Sequence, residues 1–525
     1  MATMILETEN ANVTIILRGY GTAIINWDDG TQNSYTLDLT QDVVCSHRYT
    51  SASFHSINII GTLINYLDCQ DNRILKLDVS ENDELKHINC FNNKLQVLDV
   101  SSLKKLTYLQ CGNNSLTSLN VQRNTSLLWL YCANNDLDEL DVTGLIELRN
   151  LHCYCNNIIE LKGVSGLANL RELRCRSNQL TSLDVTGCVS LTTLNCQYNS
   201  IEKLEGLQNL AKLSDLQCNV NKLTTLDVTG CIALSILLCF NNDLISLVGI
   251  NGLTNLTELS CGNNYLKSLD VAGCISLVKF NCNGNKLQQL NVSGLDALRE
   301  FNCRSNDLSG TDLNNLFVSL TTVSTEKEAF IYILGNPGAT DADVCDTAIA
   351  TNKGWTVDCL LTPFVPVTLQ MKLKTEKTIV EIVLKGAGSA IIDWDDGTQD
   401  KYALSATDTV CVHKYTASNV HTISISGFAV TTLKCSGNQV NWIDVSGNAL
   451  LETLDCSNNQ LEDLWCYGLT NLKTLHCFSN QLNRLDVTEC ASLNELLCYS
   501  NDKTKLVGTN GLTLLNDIMC NGKYI

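Results

Sequence analysis

Two residue pairs in this sequence have the types and spacing for nucleophilic chemistry. Cys45 and His47 stand two apart, and the arrangement returns at Cys411 and His413. Residues two apart on a strand share a face. A thiol beside an imidazole base, or a metal held between them, is the chemistry this spacing would support. Asp28 or Asp29 would be the acid that approaches. A motif this short proves little, and Asp-Asp-Gly is also a turn sequence. The reading carried forward is turn and packing. The sequence holds no Gly-rich phosphate loop, no H-E-x-x-H, no G-x-S-x-G and no EF-hand-like calcium loop. The expectation is a chain that is not an enzyme, with no cofactor and no metal.

The elements that must position these pairs are themselves duplicated. Ala23-Ile24-Ile25-Asn26-Trp27-Asp28-Asp29-Gly30-Thr31 returns as Ala390-Ile391-Ile392-Asp393-Trp394-Asp395-Asp396-Gly397-Thr398. Cys45 to Thr50 returns as Cys411 to Thr416. Val13 to Leu17 and Val380 to Leu384 alternate apolar and polar residues, the period of a half-buried strand. Asp-Gly marks the hairpin turns. Each copy reads as a small β module, and each runs directly into a repeat array whose first open edge it would cover.

The repeat is L-x-C-x-x-N-x-L. Its cysteine falls at Cys69, Cys90, Cys111, Cys132, Cys153, Cys175, Cys196, Cys218, Cys239, Cys261, Cys282 and Cys303, then at Cys435, Cys456, Cys477, Cys498 and Cys520, in steps of 21 or 22 residues. A fixed period in this range is that of a leucine-rich repeat with Cys in place of a strand Leu. In one copy Leu106, Leu109 and Cys111 turn inward, Asn114 satisfies backbone groups at the corner, and Leu116 and Leu119 return to the core. The rest of the turn is too short for a long helix, so extended or 3₁₀ structure is expected. One repeat cannot bury its own apolar edge, so neighbours must stack. Stacked thiols all point the same way, a poor geometry for a disulfide. A small, polarizable core filler is the expected role, also for Cys188, Cys231, Cys274 and Cys490.

The expected fold class is a leucine-rich-repeat solenoid in two arrays, with a parallel sheet on the concave side and a short convex side, each array preceded by a small all-β module. The boundaries read as 1–62 β module, 63–308 first array, 309–362 α/β cap and linker, 363–429 β module and 430–525 second array. In the cap, Thr311 to Leu320 reads as a helix with Thr311 as N-cap. Ala329 to Leu334 reads as a strand, Asn336-Pro337-Gly338 as a turn and Ala342 to Asn352 as a helix. The second array reads as uncapped at its C-terminal edge. That edge is a candidate for homo-association, the basis of a structural, self-assembling alternative that uses the solenoid ends and cap modules.

The formal net charge of −19 argues against nucleic acid and against attraction to an anionic membrane. No apolar run approaches the ~18 residues of a spanning helix, so membrane insertion is not expected, and no signal peptide is visible.

The cysteine-bearing repeat from Leu63 to Leu308 and from Val430 to Cys520 resembles the cysteine-ladder repeats of internalin J-like bacterial surface adhesins. Trp27 to Thr31 with His47 and Tyr49, and Trp394 to Thr398 with His413 and Tyr415, resemble PKD-type β-sandwich modules. In that family His-x-Tyr is a packing element. The resemblance implies an extracellular or cell-surface protein that binds a partner.

The residues between the inward ones, at Cys−3, Cys−1 and Cys+1, form columns on the exposed side of the sheet. The first column begins Tyr66, His87, Tyr108, Trp129, and beside it lie Tyr131, His152, Phe91 and Tyr154. Aromatic residues are only 6% of the chain, so this face is enriched. Rings on a rigid surface anchor proteins and can stack on sugars. Large rings also simply suit β structure. These eight are the candidate partner-binding residues, for a protein or glycan. Farther along, Glu172, Arg174 and Arg176 turn polar, and Ile236, Leu238 and Phe240 form a small apolar patch read as ordinary variation.

Overall fold

The computed structural model describes residues 2–524 except 62, 325–328, 341–343, 359–370, 417–418, 446–447, 449, 463, 467–468, 483, 488–489, 502–504, 508–516 and 521–522. The chain divides into two compact units, 1–360 and 361–525. Among the described residues no helix is long and apolar enough to cross a membrane.

In the first unit the alternation of Val13, Ile15 and Leu17, then Ala23 and Ile25, makes one long strand, Asn12–Asn26, with its apolar side fully buried. It pairs antiparallel with Val43–Arg48 along its first half and with Gln32–Leu37 along its second. The same strand pairs antiparallel with Leu63–Asp68, which pairs parallel with His87–Asn89. The module sheet therefore runs into the repeat sheet without an edge. Ala2–Thr8 does the same on the second face, pairing with Ile74–Asp78. The splice is fixed at the corner: Asn72 Nδ2 donates to Thr14 O at 2.7 Å and Thr14 N to Asn72 Oδ1 at 2.9 Å. The first open edge of the array is thus covered, as expected of an end cap.

Each turn of the array contributes a three-residue strand whose middle residue points inward. Trp129–Tyr131 pairs in register with Tyr108–Gln110 on one side and Asn150–His152 on the other. Leu130 and the following Cys132 are fully buried. The ladder asparagine then closes the corner. Asn135 Nδ2 donates to Cys111 O, Cys132 O and Ala133 O at 3.0, 3.2 and 3.3 Å. Its Oδ1 accepts Leu116 N at 2.9 Å. The set recurs at Asn93, Asn114, Asn156, Asn178, Asn199 and onward. Each Cys carbonyl accepts from two successive asparagines, Cys111 O from Asn114 and Asn135, and a buried N–H left without its acceptor, as Leu116 N would be without Asn135, costs on the order of 1–3 kcal/mol.

Thiols at the repeat position from Cys69 to Cys303 are buried and free. The second-position thiols do more than fill space. Cys188, Cys231 and Cys274 donate to Val164 O, Leu207 O and Ile250 O of the preceding turn at 3.2–3.3 Å.

Between 139 and 275 the array has a longer rhythm. Turns of 21 and 22 residues alternate, and the second-face strands pair two by two: Glu139–Asp141 with Glu160–Lys162, Ser182–Asp184 with Lys203–Glu205, and Thr225–Asp227 with Ser246–Val248. The extra residue of the longer turn is absorbed at Gly163, Gly206 and Gly249, which recur every 43 residues in left-handed conformation. A Cβ at Gly206 would lie 2.2 Å from Thr186 N, so only glycine fits.

The end of the first array departs from the sequence expectation. The helix is Gly310–Ser319, and its N-cap is Ser309, not Thr311. Asp312 reciprocates, its carboxylate accepting Ser309 N at 3.0 Å, which makes a capping box. Phe330–Tyr332 and Thr356–Asp358 extend the parallel sheet beyond residue 308. Asn336, expected in a simple turn, is a further rung: its Nδ2 donates to Cys303 O at 2.9 Å and its Oδ1 accepts Leu308 N at 3.2 Å. Within the expected helix from 342 to 352, the helical residues are Ala348–Thr351, with 342 and 343 outside the described residues.

The second unit repeats the plan. Ile379–Asp393 pairs with Thr409–Lys414 and with His421–Lys434, which pairs parallel with Thr453–Asp455. Asn438 takes the place of Asn72, with Nδ2 donating to Glu381 O at 2.6 Å. Cys435, Cys456 and Cys477 are buried and free. Cys498 differs from the expected free column in being disulfide-bonded. Cys520, the last repeat cysteine, lies on Asp517–Cys520, a strand parallel to Glu495–Leu497.

Candidate functional site

The Cys-His pairs resolve into structural parts. Cys45 is fully buried and its Sγ donates to Val43 O at 3.6 Å. Burial pushes its thiol up to about 12, away from the thiolate a nucleophile needs. His47 lies flat on Trp27, with ring centroids 4.9 Å apart, and its Nε2 meets Asp29 Oδ2 at 2.7 Å. Asp29 also accepts from the Thr31 hydroxyl and amide, which hold its carboxyl down at about 2. Asp28 accepts Ser56 N at 2.8 Å. Tyr49 donates its hydroxyl to Trp27 O at 2.7 Å. The second copy repeats these contacts: His413 to Asp396 at 2.7 Å, Thr422 N to Asp395 at 2.7 Å, and Tyr415 to Trp394 O at 2.7 Å. Each group is spent on closing its module. Among the described residues no cluster of three or more His, Cys, Asp and Glu is placed to hold a metal ion.

The eight candidate residues all lie on the outward side of the first sheet, each half-buried. Register places Tyr66, His87, Tyr108 and Trp129 side by side, followed by Asn150 and Glu172. Tyr66, His87 and Tyr108 stack face to face, with centroids 4.1 and 4.0 Å apart and planes within 12°. The guanidinium of Arg18, on the module strand, lies 4.4 Å from the Tyr66 ring centre and is held by Asp42 at 2.6 Å. His87 is enclosed by two phenol rings, and this burial takes its pKa down to about 4, so it is a neutral spacer at ordinary pH.

The stack breaks at Trp129. Tyr108 to Trp129 is 6.3 Å with planes at 49°, and Tyr108 to Tyr131 is an edge contact at 5.6 Å and 77°. From there the rings step sideways across the sheet, Tyr131 to His152 at 4.6 Å and His152 to Tyr154 at 6.2 Å. Arg176 lies over Tyr154 at 4.9 Å. The result is a diagonal aromatic stripe with a cation at each end. Phe91 flanks it; its ring would lie 3.5 Å from a Cβ at position 112, where the residue is glycine. Beside the stripe Asn150 donates to Glu172 Oε2 at 2.7 Å, and Glu172 meets Arg174.

Two participants lie outside the eight expected residues. Arg18 belongs to another module by sequence and reaches Tyr66 through an antiparallel register that shifts between Arg18 and Gly19. Arg176, expected only as part of a change to polar character, caps the far end of the stripe. Its Cys+1 position, one strand after Tyr154, is the signal in the sequence that marks it.

The second array presents a different surface at the equivalent positions. Its first column is Thr432, Thr453, Thr474 and Glu495. Among the described residues rings form only a small group there, with Phe478 stacked on Tyr499 at 4.7 Å and His476 bonded to Glu495 at 2.9 Å.

Comparison with known proteins finds the same repeat. Residues 168–209 match the model for leucine-rich repeats in two copies. No curated protein matches. Among solved structures, the functional domain of InlJ from Listeria monocytogenes, which includes a cysteine ladder, is 23% identical, with 82% of this chain and 72% of that one covered and a TM-score of 0.41. A leucine-rich-repeat protein of Leptospira interrogans is 21% identical, with 55% and 83% covered and a TM-score of 0.44. YopM from Yersinia enterocolitica is 18% identical, with 87% and 91% covered and a TM-score of 0.40. The chain is a leucine-rich-repeat solenoid with a ladder of buried cysteines.

Proposed function

We propose that this chain is a non-catalytic recognition protein, displayed on or released from a bacterial surface, that holds a protein or glycan partner against the aromatic stripe of its first array. The β modules, PKD-like in their Trp-Asp-x-Gly-Thr and His-x-Tyr patterns, act as end caps that set the rigid sheet. The observation that carries this reading is internal to the chain. At the positions where the first array places Tyr66, His87 and Tyr108, the second builds the same turns with Thr432, Thr453 and Thr474. The scaffold does not require rings there, so the rings answer to something else. Half-exposed Trp and Tyr on a preorganised surface are efficient anchors. Trp129 and Tyr131 are the favoured contacts, because their contacts with neighbouring rings are tilted or edge-on rather than face to face.

The test is a binding screen of the purified chain against extracellular proteins, mucins and glycans, beside Trp129→Ala/Tyr131→Ala. With the melting profile unchanged, the double variant should lose about 2 kcal/mol or more of binding, roughly 30-fold. Binding that survives the substitution moves the site off the stripe.

A further inference from the structure

We propose that the face formed by the turns after the second-face strands is a self-association surface, and that its partner is a second copy of this chain. The surface goes beyond the recognition stripe and uses none of its residues. One position in each turn, just after a buried Leu, Asn or Cys, is exposed, and along the first array this row runs from Lys104 to Asp296. Its large members are among the most exposed aliphatic side chains of the chain: Ile146 63%, Val189 57%, Ile232 65% and Ile275 56%.

Three features make this a surface rather than scattered apolar residues. First, β-branched aliphatics fall in the 21-residue turns and small residues in the 22-residue turns, so knobs and holes alternate at about 10 Å, twice the strand spacing. A partner must carry the same period, and another copy of this solenoid does. Second, the flanking columns are poor in charge. From 143 to 276 the position before each buried residue is Gly144, Gly166, Gly187, Asn209, Gly230 and their successors, and the position after the knob is charged only at Glu147 and Lys212. Depletion of charge is the mark of an interface core. Third, the row is self-complementary when reversed. A two-fold axis between Val189 and Ala211 sets Val189 against Ala211, Ala168 against Ile232, Ile146 against Thr254 and Thr125 against Ile275. It also sets Lys104 against Asp296. Every large side chain meets a small one, and the terminal charges meet their opposites. This is the isologous pairing of a two-fold dimer.

A strip of about ten turns is on the order of 45 Å long and buries roughly 500 Å² per copy, below the ~800 Å² of a standard interface. The dimer is therefore reversible and concentration-dependent. The second array lacks the row, with Thr470 and Ala491 at the matching positions.

Sedimentation equilibrium of the full chain across a wide concentration range tests the proposal. The expected result is a monomer–dimer equilibrium. Ile232→Lys, which changes an exposed side chain and should leave the melting profile intact, should weaken the dimer by more than about tenfold. Asp296→Lys should weaken it less, and Lys104→Asp/Asp296→Lys should restore it. A chain that stays monomeric throughout the range, or a dimer indifferent to Ile232→Lys and to the charge exchange, overturns the proposal. Should the double exchange fail to restore what the single one lost, the antiparallel register is wrong and the proposal falls in the form stated.

Discussion

The two arrays share a scaffold and differ in what it displays. Both begin at a module closed by the same Trp-His-Asp-Tyr set, and both are spliced through an asparagine, Asn72 or Asn438, into a ladder of buried amides. On the outward face one array carries a continuous ring stack braced by Arg18, and the other carries threonines. The contrast separates what stacking requires from what is free to vary. Inward leucines, thiols and corner asparagines are held by the fold. The outward columns are constrained only by strand propensity, which Thr and Tyr satisfy about equally.

Substitutions can break this comparison or sharpen it. The largest effect belongs to the shared part. Asn135→Ala in the first array and Asn480→Ala in the second each leave a buried backbone N–H, Leu116 or Leu461, without its acceptor and take one of two donors from the flanking Cys carbonyls, and each should cost about 2–3 kcal/mol. Hydrogen exchange in the turns on either side would measure the loss unit by unit. Similar losses confirm a common ladder, whereas a negligible loss in one array would mean that its corner is satisfied otherwise. A smaller effect is expected where the arrays differ. Tyr66→Thr/His87→Thr/Tyr108→Thr copies the second array into the first. It should cost only about 1–2 kcal/mol, from lost ring contacts, with the chain still folded by circular dichroism. A collapse of the first unit would show that the rings are structural after all.

A further effect is electrostatic and confined to the first array. Glu300 sits between Lys279 and Phe330 on the outward column, and burial raises its carboxyl to about 7. A folded pKa above the unfolded one means that the folded state holds the proton more tightly. Stability from this group is present below about 4.5 and is lost as pH rises towards 7. Glu300→Gln should remove that slope, visible as a flatter melting temperature between about pH 5 and pH 8, and a slope left unchanged would assign it to other groups.

Much of this architecture is legible in the amino-acid sequence. The period, the inward leucines and the corner amide depend on local, repeated patterns, and one copy predicts the next. Other features are not local. The Arg18–Tyr66 contact depends on the register of an antiparallel pair with a shift inside it, which no local pattern encodes. The tilt that frees Trp129 depends on three-dimensional ring packing. The end of the first array falls beyond residue 308 because a pattern keyed on cysteine misses the next rung. That rung carries Ile333 in the cysteine position, and its Asn336 sits beside Pro337 and Gly338, where it imitates a turn signal. At the helix before that rung, Ser309 and Thr311 are equally competent caps by type. Only the partner three residues on, Asp312 for Ser309, tells them apart.

The paired rhythm of the first array bears on how such a molecule can change length. Each longer turn leans its left-handed glycine onto the threonine of the shorter turn before it, Gly206 onto Thr186 and Gly249 onto Thr229. Removing a shorter turn or copying a longer one would set two long turns side by side and leave a glycine without its seat. Removing or copying a pair restores every neighbour. In this stretch a longer turn is therefore admissible only behind a shorter one, and Gly163, Gly206 and Gly249 are each tied to the threonine-bearing turn that precedes them.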